Sequence, residues 1–170
     1  MSRMHSTLAT IPNRYAFINT IDASANQCHS LSLMLIDVVR FSDVTTSLGI
    51  TVGDRFLLEI ANRLHVLFNK EVRIGRISGD VFGVVFLNTS NATFLRDMFE
   101  RLVEHFKTPM YHDEHAFIAD FNVGVVQGRC DEFEITAFVS RAEAALKQAK
   151  ENNTSMPFNP QIIDYWNRAN

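Results

Sequence analysis

Asp37 interrupts an apolar run from Leu31 to Val39 near its end and is the acid in this chain most in need of an explanation. A carboxylate at the end of a buried strand is costly to desolvate and needs a partner. Either it belongs to a site, or it caps a neighbouring helix. Asp80 follows Ser78 and Gly79 at the tip of a strand–turn–strand segment, Arg76 to Phe86, and reads equally as a site residue or as an ordinary turn residue. If both carboxylates enter one pocket, like-charge repulsion should raise the pKa of one of them. The next residue, Val81, is aliphatic and can neither hold a metal ion nor move a proton. Asp54 opens a long helical pattern, where a first-turn acid is favoured by the helix dipole alone. Lys150, near the end of the last helical pattern, reads as a solvated side chain. His112-Asp113-Glu114-His115 has the look of a metal clip, but the run falls on a hairpin tip, where polar residues are ordinary.

The elements that must position these groups follow from periodicity. Pro12 reads as a helix entry with proline in its first turn. His29–Val39 is a strand whose near-continuous apolar character predicts a central position buried on both faces. A short helix, Phe41 to Leu48, ends at Gly49, and Thr51 to Asp54 has the spacing of a capping box opening a long helix through Phe68. Val72–Ile77 and Val81–Leu87 pair around the turn. A helix from Asn91 to Phe106 turns Phe94, Leu95, Met98, Phe99, Leu102, Val103 and Phe106 inward. Pro109–Tyr111 pairs with Ala116–Val126, and a last helix spans Thr136–Asn152. The pattern predicts an α+β sandwich with the hairpin at the centre of a mixed sheet.

A chain of 170 residues, 46% hydrophobic and 21% charged, suits one folded domain. The net charge of -3 gives no reason to expect nucleic acid as partner. Leu31–Val39 is interrupted by Ser32 and Asp37 and is far too short to span a bilayer, so no membrane contact is expected of this segment. Cys28 and Cys130 lie far apart with no C-x-x-C spacing. Together with the absence of a signal peptide, this predicts a cytoplasmic setting and reduced, buried, inert thiols.

Six segments, the hairpin turn and five others in chain order, resemble the GGDEF family of diguanylate cyclase domains. Ser78-Gly79-Asp80-Val81-Phe82 is similar to the signature hairpin of two glycines, two acids and a phenylalanine, with Ser78 for the first glycine and Val81 for the second acid. Leu8 to Arg14 is similar to D-x-L-T-G-L-P-N-R. Leu35 to Phe41 resembles L-x-x-D-x-D-x-F-K, and Gly49 to Asp54 resembles G-H-x-x-G-D without the histidine. Asn122 to Val125 sits where the family has S-I-G-I, and Ala142 to Lys150 resembles A-D-x-A-L-Y-x-A-K. The resemblance implies a palm-like nucleotidyl-cyclase sandwich with a mainly antiparallel sheet, helices over it and the signature hairpin at 76–87. It places one degenerate domain over residues 1–155 and a tail, or the start of a linker, over 156–170.

The family joins two GTP molecules into cyclic di-GMP, and such chemistry needs divalent metal. The resemblance implies that Asp37, the Val38 carbonyl and Asp80 are the vestigial metal ligands. Nucleotide-binding positions map to Phe41, Thr45, Asp54 and Lys150. Thr45 replaces the guanine-reading asparagine, Ser42 a lysine, and Thr154 an arginine, with Asn153 in place of a glycine. Each lost charge-assisted hydrogen bond forfeits about 1.5–3 kcal/mol, so three together remove roughly 4–9 kcal/mol, or about three to six decades of affinity if additive. The inhibitory R-x-x-D element is replaced by Asn69-Lys70-Glu71-Val72.

The expectation is therefore a catalytically silent regulatory or scaffolding domain of cyclic di-GMP signalling, linked in its parent chain to an EAL phosphodiesterase or sensor domain. It needs no catalytic residue and no cofactor. The alternatives are a GTP sensor with residual binding of magnesium and GTP, and a weak diguanylate cyclase.

Overall fold

The computed structural model describes residues 11–68, 72–88, 91–130 and 134–151, together with the backbone of 163–166. In chain order the elements are α1 (Arg14–Ala25), β1 (Ser30–Val38), α2 (Phe41–Leu48), α3 (Ile50–Leu67), β2 (Val72–Ser78), β3 (Val81–Leu87), α4 (Ala92–His105), β4 (Met110–His112), β5 (His115–Phe117), β6 (Phe121–Arg129), α5 (Ile135–Glu151) and β7 (Ile163–Trp166). The main sheet has the order β2-β3-β1-β6-β7, antiparallel except for the β6–β7 pair. The fold is α+β, with two helical layers around that sheet.

β1 owes its apolar run to its central place. Leu31, Leu33 and Leu35 join a core cluster with Phe17 and Ile21 of α1 and Phe138, Ala142 and Leu146 of α5. Met34, Ile36 and Val38 point the other way, into a cluster with Phe56 and Ile60 of α3 and Leu95 and Phe99 of α4. The hairpin is not at the centre: β2 is the sheet edge and β3 pairs with β1. A strand with both faces covered needs two-sided apolarity, and β1 has it, whereas β2 carries the exposed Arg73.

Several boundaries differ from the sequence reading. Asn13 is the N-cap of α1, its side chain accepting from the Ala16 N–H, so Pro12 precedes the helix instead of lying in its first turn. α3 begins at Ile50 behind Gly49, whose φ of 93° only glycine adopts readily, and no side chain caps it. Thr51 is therefore inside the helix and the expected capping box does not form. The long strand Ala116–Val126 is broken at Ile118–Asp120: β5 pairs with β4 alone, and β6 enters the main sheet. Phe94 and Val103, placed inward by periodicity, are 36% and 41% exposed, although the Phe94 ring still meets Phe86 edge-on at 5.6 Å.

Cys28 and Cys130 are half-buried instead of buried, with their sulfurs 3.1 Å apart. Ile163–Trp166, expected in a tail, forms a parallel strand beside β6. Among the described residues no helix is long and apolar enough to cross a membrane.

Candidate functional site

Alternation along β1 sends Asp37 to the same face as Leu33 and Leu35, at the strand's last turn before α2. In register it stands between Val81 of β3 and Asn122 of β6. Asp37 is 5% exposed. Asn122 Nδ2 donates to Oδ2 of Asp37 at 3.5 Å, and Lys150 Nζ lies 3.8 Å from Oδ1. Burial is the main influence on the Asp37 carboxyl and pushes its pKa above the ordinary value; the Lys150 charge opposes this, and Asp80 adds a smaller upward push. Like-charge repulsion from Asp80 is thus present, but desolvation outweighs it.

The hairpin tip is tied to this point. The Val38 N–H donates to the Asp80 carbonyl at 3.1 Å, and Arg76 Nη2 donates to the Gly79 carbonyl. Asp37, Val38, Asp80 and Val81 are therefore neighbours. Ser78 and Gly79 are exposed, Phe82 is fully buried on the opposite face, and Val81 packs with Leu35 and Ile77 at 8% exposure. A cavity of about 440 Å³ opens beside them, lined by Leu35, Ile77, Ser78, Val81, Leu146 and Lys150.

Lys150 reaches Asp37 because α5 presses on β6. A Cβ on Gly124 would run into the backbone of Leu146, so glycine here permits the close approach. At the cavity rim, Arg14 of α1 grips Glu143 of α5 through two bonds, at 3.0 and 3.4 Å. Neither Arg14, Glu143 nor Asn122 was assigned a role from sequence. Motif positions marked all three, but no spacing could pair residues 129 apart.

Phe41, Thr45 and Asp54 form a second group, at the α2–α3 junction. Phe41 is buried at the start of α2, and Thr45 Oγ1 donates to its carbonyl at 3.5 Å. A Cβ on Gly53 would stand 3.1 Å from Thr45 Oγ1, so the two helices touch there. Asp54 is exposed and beyond the first turn of α3, which removes its expected role as a first-turn acid. Ser42 is also exposed. Among the described residues, no polar contact joins this group to Asp37. Asn69, Lys70, Glu71, Asn153 and Thr154 lie outside the described residues.

At the other hairpin, His112 and His115 face each other across β4 and β5, with Asp113 at φ 54° in the turn. Among the described residues, no three His, Cys, Asp or Glu side chains come together there or elsewhere as a metal cluster. The first group offers a different donor set: two carboxylates and the Val38 carbonyl are hard oxygens of the kind magnesium takes. A buried, protonation-prone carboxylate with one ammonium beside it fits a place where a cation would be welcome.

The family profile described as "Diguanylate cyclase, GGDEF domain" matches residues 4–156. The chain is 27% identical over 156 residues to the signaling protein YkoW of Bacillus subtilis, covering 89% of this chain and 20% of that protein. It is 28% identical over 158 residues to the diguanylate cyclase DgcP of Escherichia coli, covering 89% of this chain and 46% of that one. A sensory box/GGDEF family protein from Caulobacter crescentus superposes with a TM-score of 0.77 at 25% identity, over 88% of this chain and 99% of the other. The chain thus spans less than half the length of either curated relative.

Proposed function

We propose, from the premise that this chain belongs to the GGDEF (diguanylate cyclase) domain family, that it is a catalytically silent regulatory or scaffolding module of cyclic di-GMP signalling. A single observation carries the reading. The position of the family's second acid is held by Val81, directly opposite Asp37 in the β1–β3 register and packed against Leu35 and Ile77. A carboxylate there would stand about 4.5–5.5 Å from Asp37 across the strands and would complete an acidic edge. Valine instead extends the apolar cluster, and Asp37 is paired with the opposite charge of Lys150. Ser42 and Thr45 deepen the loss, since neither offers the charge or the paired donor and acceptor of the residues it replaces.

The relatives' greater length supports a partner domain in the same parent chain, which we take to be of the EAL or sensor kind. The domain's boundaries, 1–155 with the remainder as tail or linker, belong to the same proposal. The test is direct: the purified protein is incubated with GTP and magnesium, and the products are separated by chromatography. No cyclic di-GMP is expected; robust turnover overturns the reading.

The adjacency of Asp37, Val38 and Asp80 favours a second reading, residual binding of magnesium with GTP. The Asp37 and Asp80 carboxylates and the Val38 carbonyl would hold the ion, which when bound shields phosphate charge. The ion would then take the place of the Lys150 contact on Asp37. A ligand that binds only the folded state stabilises it, by about 2.7 kcal/mol at a hundred times its Kd, and so raises the unfolding midpoint. A rise with magnesium and GTP establishes this reading, and an unchanged midpoint at millimolar nucleotide removes it.

A further inference from the structure

We infer that Cys28 and Cys130 form a dithiol/disulfide pair, a modification site at the end of the sheet remote from Asp37. The two thiols are 102 residues apart in sequence and 3.1 Å apart in space. A movement of about 1 Å converts that contact into a bond of about 2.03–2.05 Å. Both are half-buried, so each is held by packing yet reached by small solutes.

The surrounding backbone fixes the pairing. Cys130 continues the β1–β6 ladder, its N–H donating to the His29 carbonyl at 2.9 Å. Cys28 Sγ donates to the Ser24 carbonyl in the last turn of α1 at 3.2 Å. The His29 N–H in turn donates to Asn88 Oδ1 at the end of β3, at 2.9 Å. Three elements converge there, and both cysteines pack, with Ile18, Leu87 and Ile135, against the core cluster that holds Phe17, Leu31 and Phe138. The two sulfurs already meet in the folded chain.

The oxidant is a low-molecular-weight disulfide. One cysteine, as thiolate, attacks a sulfur of that disulfide and releases one small thiol, leaving a mixed disulfide on the protein. The second cysteine attacks the protein sulfur of that intermediate and releases the second small thiol. Two protein thiols are oxidised, one small disulfide is reduced, and the protons of both cysteines leave with the small thiols. Excess small thiol reverses the sequence.

The bond would close a loop containing β1 to β6 with α2, α3 and α4 inside it, tying the entrance of the central strand to the exit of its neighbour. From the Ser30–Arg129 pair to the Asp37–Asn122 pair is seven steps along β1, about 24 Å. The staple therefore lies far from Asp37 and Asp80 while restraining the unfolded chain. A closed loop of about 100 residues corresponds to an upward shift of roughly 10 °C in the unfolding midpoint.

The purified protein is equilibrated in mixtures of reduced and oxidised glutathione, quenched by alkylation, and analysed by mass spectrometry and thermal unfolding. The expected result is a single intrachain bond joining the Cys28 and Cys130 peptides, formed and lost reversibly, with the higher midpoint in the oxidised form. Cys28→Ser and Cys130→Ser each abolish both the bond and the rise. Full alkylation of both thiols in the most oxidising mixture overturns the assignment, as does the formation of mixed disulfides or interchain dimers alone. Because the decisive comparison is the same wild-type protein reduced and oxidised, it does not depend on how well the serine variants fold.

Discussion

Lys150 Nζ lies 3.8 Å from Oδ1 of Asp37, bridging the last turn of α5 to the end of the central strand. The lysine side chain is 51% exposed and the aspartate side chain 7%. The pair is therefore asymmetric: one ion is solvated and the other nearly dry. In such a pair the buried member carries the electrostatic cost, and its protonation state governs how the site responds to its surroundings.

That cost has a sign. The folded-state pKa of Asp37 is raised by burial, so between the unfolded value of about 3.9 and the higher folded value the native state binds more protons. Its contribution is least unfavourable below the unfolded pKa, and stability is lost as pH rises through the folded pKa. Asp37→Asn removes this dependence. The variant is expected to gain in urea midpoint relative to wild type on going from pH 4 to pH 7; an unchanged difference contradicts the assignment.

Lys150→Ala should push the Asp37 carboxyl further upward, because the opposing charge of the ammonium is removed. Exposure limits the direct loss of stability to about 0–1 kcal/mol. Carboxyl carbon chemical shifts followed through a pH titration report the Asp37 midpoint in both proteins, and an unmoved midpoint would show that the ammonium does not act on it.

Val81→Glu places a second acid opposite Asp37 in a cluster with Leu35 and Ile77. Desolvation and like-charge contact together should lower stability by about 1–3 kcal/mol. Magnesium is expected to recover part of that loss in the variant while leaving wild type less affected. Cyclic di-GMP should remain absent from product chromatograms, because Ser42 and Thr45 still lack the groups that grip the nucleotide.

Gly124→Ala drives a methyl group into the Leu146 backbone. Over-packing of this kind costs about 1–3 kcal/mol, and the easiest relief is a shift of α5 away from β6. Such a shift would also carry Lys150 from Asp37. The expected outcome is a lower unfolding midpoint together with the Asp37 titration behaviour of Lys150→Ala; destabilisation without that titration change would mean that α5 stays in place.

The readable part of the site was the part written locally. Asp37 announced itself by interrupting the one long apolar run, and burial to 5% exposure is what that run implied. Asp80 and Val81 were legible as turn and strand start, and the register placed Val81 opposite Asp37. Asp54 misled, because the helix begins at Ile50 behind a glycine, a choice between two adjacent starts that sequence spacing does not resolve. Phe94 and Val103 misled in a similar way: helical period marks a face, but how much of that face is covered depends on the neighbouring layer.

Element order, the two-sided burial of β1 and the replacement of an acid by Val81 were determined by the residues themselves, since periodicity and side-chain chemistry act over a few neighbouring positions. The tertiary structure alone decided that Lys150 covers Asp37, that Arg14 clasps Glu143 and that Cys28 meets Cys130. Those contacts arise from strand register and from the depth at which α5 seats on Gly124. Both are set by packing the whole sheet against its helices, and no local pattern encodes them.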